Sequence, residues 1–203
     1  MKILFPARTA AAALALIFLL PAFSAAQDEL RPAAAPNAWL GILGGRFAPS
    51  DSVFKEVYGT EGLALGLSAG RMLYRSEGFS LAVDLDVRRF AKPGGSTISG
   101  TASRLTLIPI AAGLEAAVRR GTVGLWLGGG ADWIFYSEDS EWILSRGSAF
   151  GFHVAGGLFL EPASGPILKA YIRWSKASKA MEGFTVDLGG TEIGAALLFR
   201  FDL

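Results

Sequence analysis

The stretch Thr191-Glu-Ile-Gly-Ala-Ala-Leu-Leu-Phe-Arg-Phe-Asp-Leu203 decides the fold, because it alternates between two kinds of side chain up to residue 203. One face carries Ile193, Ala195, Leu197, Phe199, Phe201 and Leu203, and the other carries Glu192, Gly194, Ala196, Leu198, Arg200 and Asp202. A period of two indicates a β-strand, since successive side chains point to opposite faces. An uncovered apolar edge invites aggregation, so this strand is predicted to close a barrel with lipid outside and a polar lumen inside.

Residues 1–26 are predicted to be a cleaved secretory signal peptide. Lys2 and Arg8 give a basic start, residues 10–20 form a short apolar run, and small residues allow cleavage after Ala26. The apolar run is too short for a membrane-spanning helix, which needs about 20 apolar residues. The sequence therefore predicts export followed by removal of this segment.

The composition excludes several classes of function. Removing the predicted signal leaves 17 Lys and Arg against 18 Asp and Glu, so no strong field points to nucleic acid. There is no cysteine, which rules out disulfides and thiolate chemistry. The 26 glycines, together with apolar residues at alternate positions, favour a transmembrane barrel.

Residues 27–37 are predicted to be a flexible lead, and residues 38–203 an all-β, eight-stranded antiparallel up-and-down transmembrane β-barrel. Period-two segments predict strands at about 38–47, 63–74, 79–90, 103–118, 123–136, 150–161, 167–175 and 191–203. Three short turns alternate with four long loops, as in outer-membrane barrels with short periplasmic turns and long extracellular loops. The long loops are predicted at 49–59, 91–101, 137–148 and 176–189.

Two local features are predicted from turn and strand chemistry. Asp51 or Ser52 should cap a helical turn that ends before Gly59. Pro109 lies inside the fourth strand and cannot donate to the ladder, so a bulge is expected there. That bulge should shift the phase of the strand, with Glu115 on the inner face.

The inner faces of the predicted strands collect a network of charges in the lumen. An eight-stranded barrel has an interior about wide enough for side chains to fill, so these charges are expected to pair in a salt-bridged plug. Lys169, Arg173 and Arg200 are the expected partners of Asp84 and Asp86. A narrow polar conduit is the alternative, and a wide pore is not expected, because aqueous channels need about 16 strands. The predicted network consists of Asp84, Asp86, Arg88, Glu115, Asp132, His153, Lys169, Arg173, Glu192, Arg200 and Asp202.

No catalytic, cofactor or metal site is predicted. His153 is the single histidine and has neither a second histidine nor a cysteine to complete a metal-ligand set. The glycines at 128–130 are not followed by a helix, which argues against a phosphate loop. A packed lumen residue is therefore the interpretation of His153, and the chain is not expected to be an enzyme.

Aromatic residues near the strand ends are typical of the two interfacial belts of a membrane protein. Those predicted in the belts are Trp39, Tyr74, Trp133, Phe135, Tyr136, Trp174, Phe199 and Phe201. Apolar loop residues are expected to pack over the barrel mouth, with a contact surface for an external partner as the alternative. These are Phe54, Tyr58, Trp142, Ile143, Leu144, Phe184 and Val186.

Several short motifs follow one another along the chain. They are Pro49-Ser-Asp51, Phe54-Lys55, Tyr58-Gly59, Leu107-Ile-Pro109, Gly128-Gly-Gly130, Phe150-Gly-Phe-His153, Tyr171-Ile-Arg-Trp-Ser175, Asp187-Leu-Gly-Gly190 and Leu198-Phe-Arg-Phe201. In this order, over about residues 37–203, they resemble the outer-membrane β-barrel domain family of small eight-stranded porin-like proteins. The resemblance implies a place in the cell outer membrane, contact with its lipid and lipopolysaccharide, and assembly by the barrel-insertion machinery. It carries no agreed catalytic residues.

The predicted function is that of a monomeric outer-membrane barrel with a structural, adhesive or protective role, presented through four extracellular loops. One alternative is a secreted, soluble, lipocalin-like barrel that binds an apolar ligand, which would require the apolar faces to point inward. Another is a lipid-modifying outer-membrane enzyme. The side chains that separate the first alternative from the membrane barrel are Val83, Leu85, Leu197 and Phe199.

Overall fold

The computed structural model describes residues 37–95, 102–140, 144–181 and 184–202. Within these ranges the chain forms nine strands and one short helix. The strands are β1 (Ala38–Pro49), β2 (Gly62–Arg75), β3 (Phe79–Gly95), β4 (Ala102–Arg120), β5 (Val123–Ser140), β6 (Leu144–Leu160), β7 (Ile167–Met181), β8 (Phe184–Asp187) and β9 (Gly190–Phe201). The helix α1 is Ser52–Tyr58, and no helix in the described part of the chain is long and apolar enough to cross a membrane.

Eight of the strands close into an antiparallel ring. Each of β1 to β7 pairs with its neighbour in sequence, and β9 pairs with both β7 and β1, which closes the barrel. The remaining strand, β8, lies outside the ring and among the described residues pairs with Ser178–Met181 at the end of β7. The predicted fold class, an eight-stranded up-and-down barrel, is confirmed, with β8 as an addition outside the ring.

The two faces of the strands divide as the alternation predicts. Large apolar side chains point outward, with Leu67 57%, Ile172 55% and Phe199 55% exposed. The charged side chains of the middle strands point inward and are buried, as Asp132 and Arg173 illustrate at 1% and 4% exposure. An apolar exterior contradicts the lipocalin-like alternative, because that arrangement requires the apolar face inside.

The predicted bulge at Pro109 is wrong. Pairing of β4 with β5 runs without interruption through Pro109↔Ile134, and pairing with β3 resumes at Phe90↔Leu107 in the register that it leaves at Val87↔Ile110. The proline therefore interrupts the ladder to β3 locally, since it has no N–H to donate, but does not shift the phase. The register slips instead in β2, between Met72 and Tyr74.

The strands are longer than predicted at the end of the barrel that carries the long connections. β3 continues to Gly95, β5 continues to Ser140 and β7 continues to Met181, so much of the loops predicted at 91–101, 137–148 and 176–189 is strand. The sequence of these extensions is polar and rich in glycine. Where no lipid covers the sheet, its outer face need not be apolar, so the alternation that predicts a strand is weak there. The remaining tips lie outside the described residues.

The helical turn after β1 is confirmed. Asp51 is the N-cap, and its Oδ1 accepts hydrogen bonds from the backbone N–H groups of Val53 at 2.9 Å and Phe54 at 3.1 Å. Gly59 ends the helix with φ +81°, a conformation that glycine adopts without strain.

Candidate functional site

The barrel interior is filled by three layers of inward side chains. Along β3 the inward residues run from Ala82 through Asp84, Asp86 and Arg88 to Phe90, which is apolar, charged and then apolar again. The lower apolar layer, toward the end with the short turns, consists of Trp39, Ala82, Ala117, Phe159, Ile167 and Leu198. The upper apolar layer consists of Phe47, Phe54, Tyr58, Ala64, Phe90, Leu105, Leu107, Ile134, Tyr136, Ala149, Ala177 and Leu188. The charged layer lies between the two, and the sequence did not lead us to expect apolar layers in the lumen.

Asp132 is a centre of the charged layer. Its Oδ1 accepts from Arg173 Nη2 at 2.5 Å and lies 2.9 Å from His153 Nδ1, which joins β5, β7 and β6. All three side chains are at most 5% exposed. A buried carboxylate between two nitrogen donors holds both of them in fixed orientations.

A second group in this layer is built around Arg88 and Glu192. Arg88 Nη2 donates to Asp86 Oδ2 at 2.9 Å on its own strand, and Arg88 Nε lies 3.7 Å from Glu192 Oε2 on β9. The Tyr171 hydroxyl donates to Glu192 Oε1, and the Arg88 guanidinium lies 5.9 Å from the centre of the Tyr171 ring. These contacts connect β3, β7 and β9 across the lumen.

The third group joins Lys169 to Glu115. Lys169 Nζ lies 2.6 Å and 2.5 Å from the two carboxylate oxygens of Glu115. The same ammonium lies 4.6 Å from the ring centre of Trp126 and 5.5 Å from that of Trp39, distances suited to cation–π attraction. This ion pair therefore packs against the aromatic side chains of Trp39 and Trp126 at the lower apolar layer.

The individual partners differ from those predicted. The structure joins Arg173 to Asp132 and Lys169 to Glu115, not to Asp84 or Asp86. Arg200 contacts Glu161 at the end of the barrel that carries the short turns. The prediction that Asp202 belongs to the network, which was based on alternation, is wrong, because Asp202 is exposed at the end of the last strand.

Three arginines converge on Glu161 at the end with the short turns. Arg200 Nη1 donates to Glu161 Oε1 at 2.8 Å, Arg75 contacts the same oxygen, and Arg119 Nη1 lies 3.5 Å from Oε2. The slip in β2 contributes to this cluster: Tyr74 is largely exposed, whereas the following Arg75 is partly buried and reaches Glu161. Sequence reasoning missed Glu161, because it lies at the end of a strand and has no charged neighbour in the chain.

The helix α1 packs over the opposite mouth. Its Phe54 and Tyr58 are buried in the upper apolar layer, with Val186 packed against it. The Tyr58 hydroxyl donates to Glu138 Oε1 at 2.5 Å, and burial followed by this hydrogen bond raises the pKa of the Tyr58 phenol, so that it remains a donor. The expected packing of apolar loop residues over the mouth is confirmed for these three. The side chains of Trp142, Ile143, Leu144 and Phe184 lie outside what the structure describes.

Two small cavities lie in the described interior. A cavity of about 40 Å³ lies beside the charged layer, and a second of about 20 Å³ lies between that layer and the upper apolar one. No cluster of three or more His, Cys, Asp or Glu suited to a metal ion occurs among the described residues. The lumen is thus a packed core with small cavities rather than an open channel.

Comparisons with family models and with the sequences of curated proteins gave no match. Comparison with solved structures matched outer-membrane barrels. Neisserial surface protein A is 16% identical with a TM-score of 0.56, over 84% of this chain and 100% of that one. The transport unit of the autotransporter AIDA-I from Escherichia coli is 11% identical with a TM-score of 0.50, over 92% and 97% of the two chains. The attachment invasion locus protein Ail of Yersinia pestis is 13% identical with a TM-score of 0.47, over 80% and 97%.

The chain therefore has the fold of the outer-membrane β-barrels, and at the level of fold the resemblance in the sequence is confirmed. The apolar belt around a polar, filled interior places the barrel in the cell outer membrane. The described N- and C-terminal residues, Asn37 and Asp202, lie at the end with the short turns, which in this fold is the periplasmic end. The long strand extensions and α1 are then on the extracellular side.

Val83 lies in the middle of the outward apolar residues of β3, which run from Phe79 to Val87. We expect Val83→Arg to reduce the free energy of unfolding by about 2–4 kcal/mol, the cost of arginine at the bilayer midplane. Val87→Arg is the matched control, because its neighbour on that face is Arg89 at the edge of the belt, where the cost falls to about 0–1 kcal/mol. Reversible urea unfolding in lipid vesicles measures both, and equal losses would contradict the membrane orientation.

Proposed function

We propose that this barrel is a closed scaffold that carries a rigid sheet above the outer membrane, with an adhesive or protective role. The observation that supports it most is the combination of a filled lumen with strands that continue beyond the apolar belt. β3 and β4 pair as far as Gly95↔Ala102, and β5 and β6 pair as far as Asp139↔Leu144. The extracellular part of β3 to β6 is thus one continuous four-stranded sheet rather than a set of separate loops.

Basic side chains at the upper edge of the apolar belt support contact with lipopolysaccharide. Arg46, Arg89 and Lys176 point outward and are exposed, on β1, β3 and β7. The two arginines come after the apolar outward residues Ile42 and Val87 on their strands, so in this proposal they lie at the level of the headgroups. Arginine and lysine at this level would bind the phosphates of the outer leaflet.

The alternative of a lipid-modifying enzyme has little support. His153 and Asp132 form the pair that most resembles a catalytic one, but both are buried inside the barrel beneath the upper apolar layer. A reaction on outer-leaflet lipid needs its groups near the outside of the belt. The pair is therefore interpreted as part of the packed interior.

The proposed function is tested by removing the protruding sheet while keeping the barrel. In a variant, residues 93–104 and 139–145 are each replaced by a short turn, so that the strands end near the top of the belt. Bacteria that carry the full chain should adhere to protein-coated surfaces or survive serum better than bacteria that carry this variant. Heat-dependent gel mobility of both proteins shows that the barrel is folded, and equal adhesion and survival would overturn the proposal.

A closed interior also predicts the electrical behaviour of the protein. In planar bilayers the full chain should give no stable openings of nanosiemens size, because large side chains fill the lumen of an eight-stranded barrel. A wide porin recorded in the same membrane is the positive control. Stable openings of that size would show that the layers do not block the lumen.

A further inference from the structure

The wall of the barrel divides between β6 and β7 above the membrane. Pairing of these strands begins at Leu160↔Leu168 and ends at Gly151↔Ala177. Beyond this point β6 continues to Leu144 paired with β5, and β7 continues to Met181 paired with β8. Among the described residues no pairing joins the two extensions, and we refer to the gap between 144–150 and 178–181 as the notch.

The notch opens because the two extensions are fixed to different parts of the molecule. The β7–β8 hairpin is tied toward β1 and α1: Asp187 N donates to Asp51 Oδ2 at 3.2 Å, and Ser50 N donates to Gly189 O at 3.0 Å. Leu188 N also donates to Ala177 O at 2.8 Å, and its side chain is buried in the upper apolar layer. The β6 extension, in contrast, keeps its register with β5 up to Leu144↔Asp139.

The β6 side of the notch is therefore the free edge of the protruding sheet. On such an edge, alternate residues direct their N–H and C=O groups away from the sheet, where another strand can pair with them. The segment 144–150 contains no proline, and its register with β5 has no bulge, so two of the features that usually protect an edge are absent from it. At the opposite side of the sheet, the Tyr58 ring of α1 packs against the inner face of β3 at Gly94.

The side chains around the notch are basic. Arg146 is exposed on β6. Lys176 is exposed on β7, in the next-to-last residue pair that joins β7 to β6, and Lys179 follows on the β7 extension. Among the described residues, the nearest acid on the outer face of the sheet, Asp139, lies opposite Arg104 of β4 in the register. Two copies of the chain pairing through this edge would bring these basic groups together, whereas an acidic strand would be attracted to them.

We infer that the free edge of β6 at the notch binds an extended acidic peptide segment of an external protein, which adds a strand to the protruding sheet. Backbone pairing with 144–150 supplies the affinity, and Arg146 with the lysines of β7 selects acidic side chains. The inference rests on the proposed function, because it names the kind of partner that the protruding sheet would contact.

The test uses the full barrel in lipid nanodiscs and a fluorescent peptide of alternating glutamate and valine. Three control peptides have lysine in place of glutamate, proline at alternate positions, or the same composition in scrambled order. Anisotropy measures affinity, and amide hydrogen exchange locates the bound strand. The acidic peptide should bind at least about tenfold more tightly than the lysine and proline peptides, and it should slow exchange of alternate amides in 144–150.

A charge reversal separates edge binding from general attraction to a basic surface. Arg146→Glu should weaken the acidic peptide by about tenfold and strengthen the lysine peptide. Arg120→Glu, at the periplasmic end and exposed, is the matched control and should change neither. The inference fails if the acidic peptide does not bind, if the proline peptide binds equally well, or if protection appears outside 144–150. If the peptide fails while adhesion still depends on the protruding sheet, only the partner is wrong; if adhesion is independent of that sheet, the proposed function is wrong.

Discussion

Replacing Arg173 by methionine should reduce the free energy of unfolding of the barrel by about 3–5 kcal/mol, the cost of leaving a buried charge without its partner. Arg173 donates to Asp132 at 2.5 Å, and the two side chains are 5% and 1% exposed. Methionine keeps an unbranched apolar stem of comparable volume, so the loss comes mainly from the charge rather than from a cavity. The cavity of about 40 Å³ beside Arg173 has a partly polar lining and admits a little water, which places the loss toward the lower end of that range.

The imbalance of charge in this layer adds to the effect. The layer holds the acidic residues Asp84, Asp86, Glu115, Asp132 and Glu192 against the basic residues Arg88, Lys169 and Arg173. Removing Arg173 leaves His153 beside Asp132 as the nearest remaining donor. The acids then repel one another more strongly, because few solvent molecules screen them in a packed lumen.

A double variant shows whether the pair itself is responsible. Arg173→Met combined with Asp132→Asn should recover part of the loss, since neither side chain then carries an unpaired charge. Lys176→Met on the same strand is the surface control and should change stability by less than about 0.5 kcal/mol. Reversible urea unfolding in detergent or lipid measures all of them, and single and double variants that unfold like the original protein would mean that the lumen is fully hydrated.

Replacing Glu161 by glutamine should cost about 3 kcal/mol, for a different reason. Glu161 is the carboxylate on which Arg75, Arg119 and Arg200 converge, and it is 8% exposed as a side chain. Without its charge, three guanidinium groups from β2, β4 and β9 face one another at the periplasmic mouth. The arginines are 14% to 29% exposed, so added salt should screen their repulsion and restore part of the stability.

Glu77→Gln is the matched control for this cluster. Glu77 is an exposed acid in the neighbouring turn, and it is its backbone carbonyl that accepts from Arg119 Nε, at 3.3 Å. Neutralising its side chain should leave the melting behaviour nearly unchanged. A loss for Glu161→Gln that does not respond to salt would indicate a packing defect rather than repulsion.

The strand faces could be predicted from the sequence, whereas the ionic partners could not. Alternation along one strand shows which residues point inward, and this was correct for Asp132, His153 and Arg173. Which inward residues share a level depends on the stagger between strands around the ring, and that is not written in any single strand. The pairing of Arg173 with Asp132, instead of Asp84 or Asp86, follows from this stagger.

The ends of the strands were the other limit. Outside the belt no lipid requires an apolar face, so the period of two fades while the backbone ladder continues, as in β3 between Ala91 and Gly95. Inward apolar residues such as Phe90 and Leu107 form a layer, which the assumption of a polar lumen concealed. The notch forms because the β6 extension stays paired with β5 while the β7 extension pairs with β8. No local sequence pattern shows this.

The seam between β1 and β9 has a consequence for the order of assembly. Every other pairing in the ring joins strands that follow one another closely, whereas the seam joins the two ends of the domain, as the Ser50–Gly189 hydrogen bond shows across 139 residues. Hairpins between neighbouring strands can therefore form early. Pairing of β1 with β9 requires the last strand and carries most of the entropic cost of loop closure. Gly41 and Gly45 lie on this seam, where a Cβ would come within 2.0 Å and 2.7 Å of carbonyl oxygens of β9. A side chain at either position would obstruct the slowest step, so variants there should leave open, pairing-competent edges for longer and raise the yield of misassembled chains.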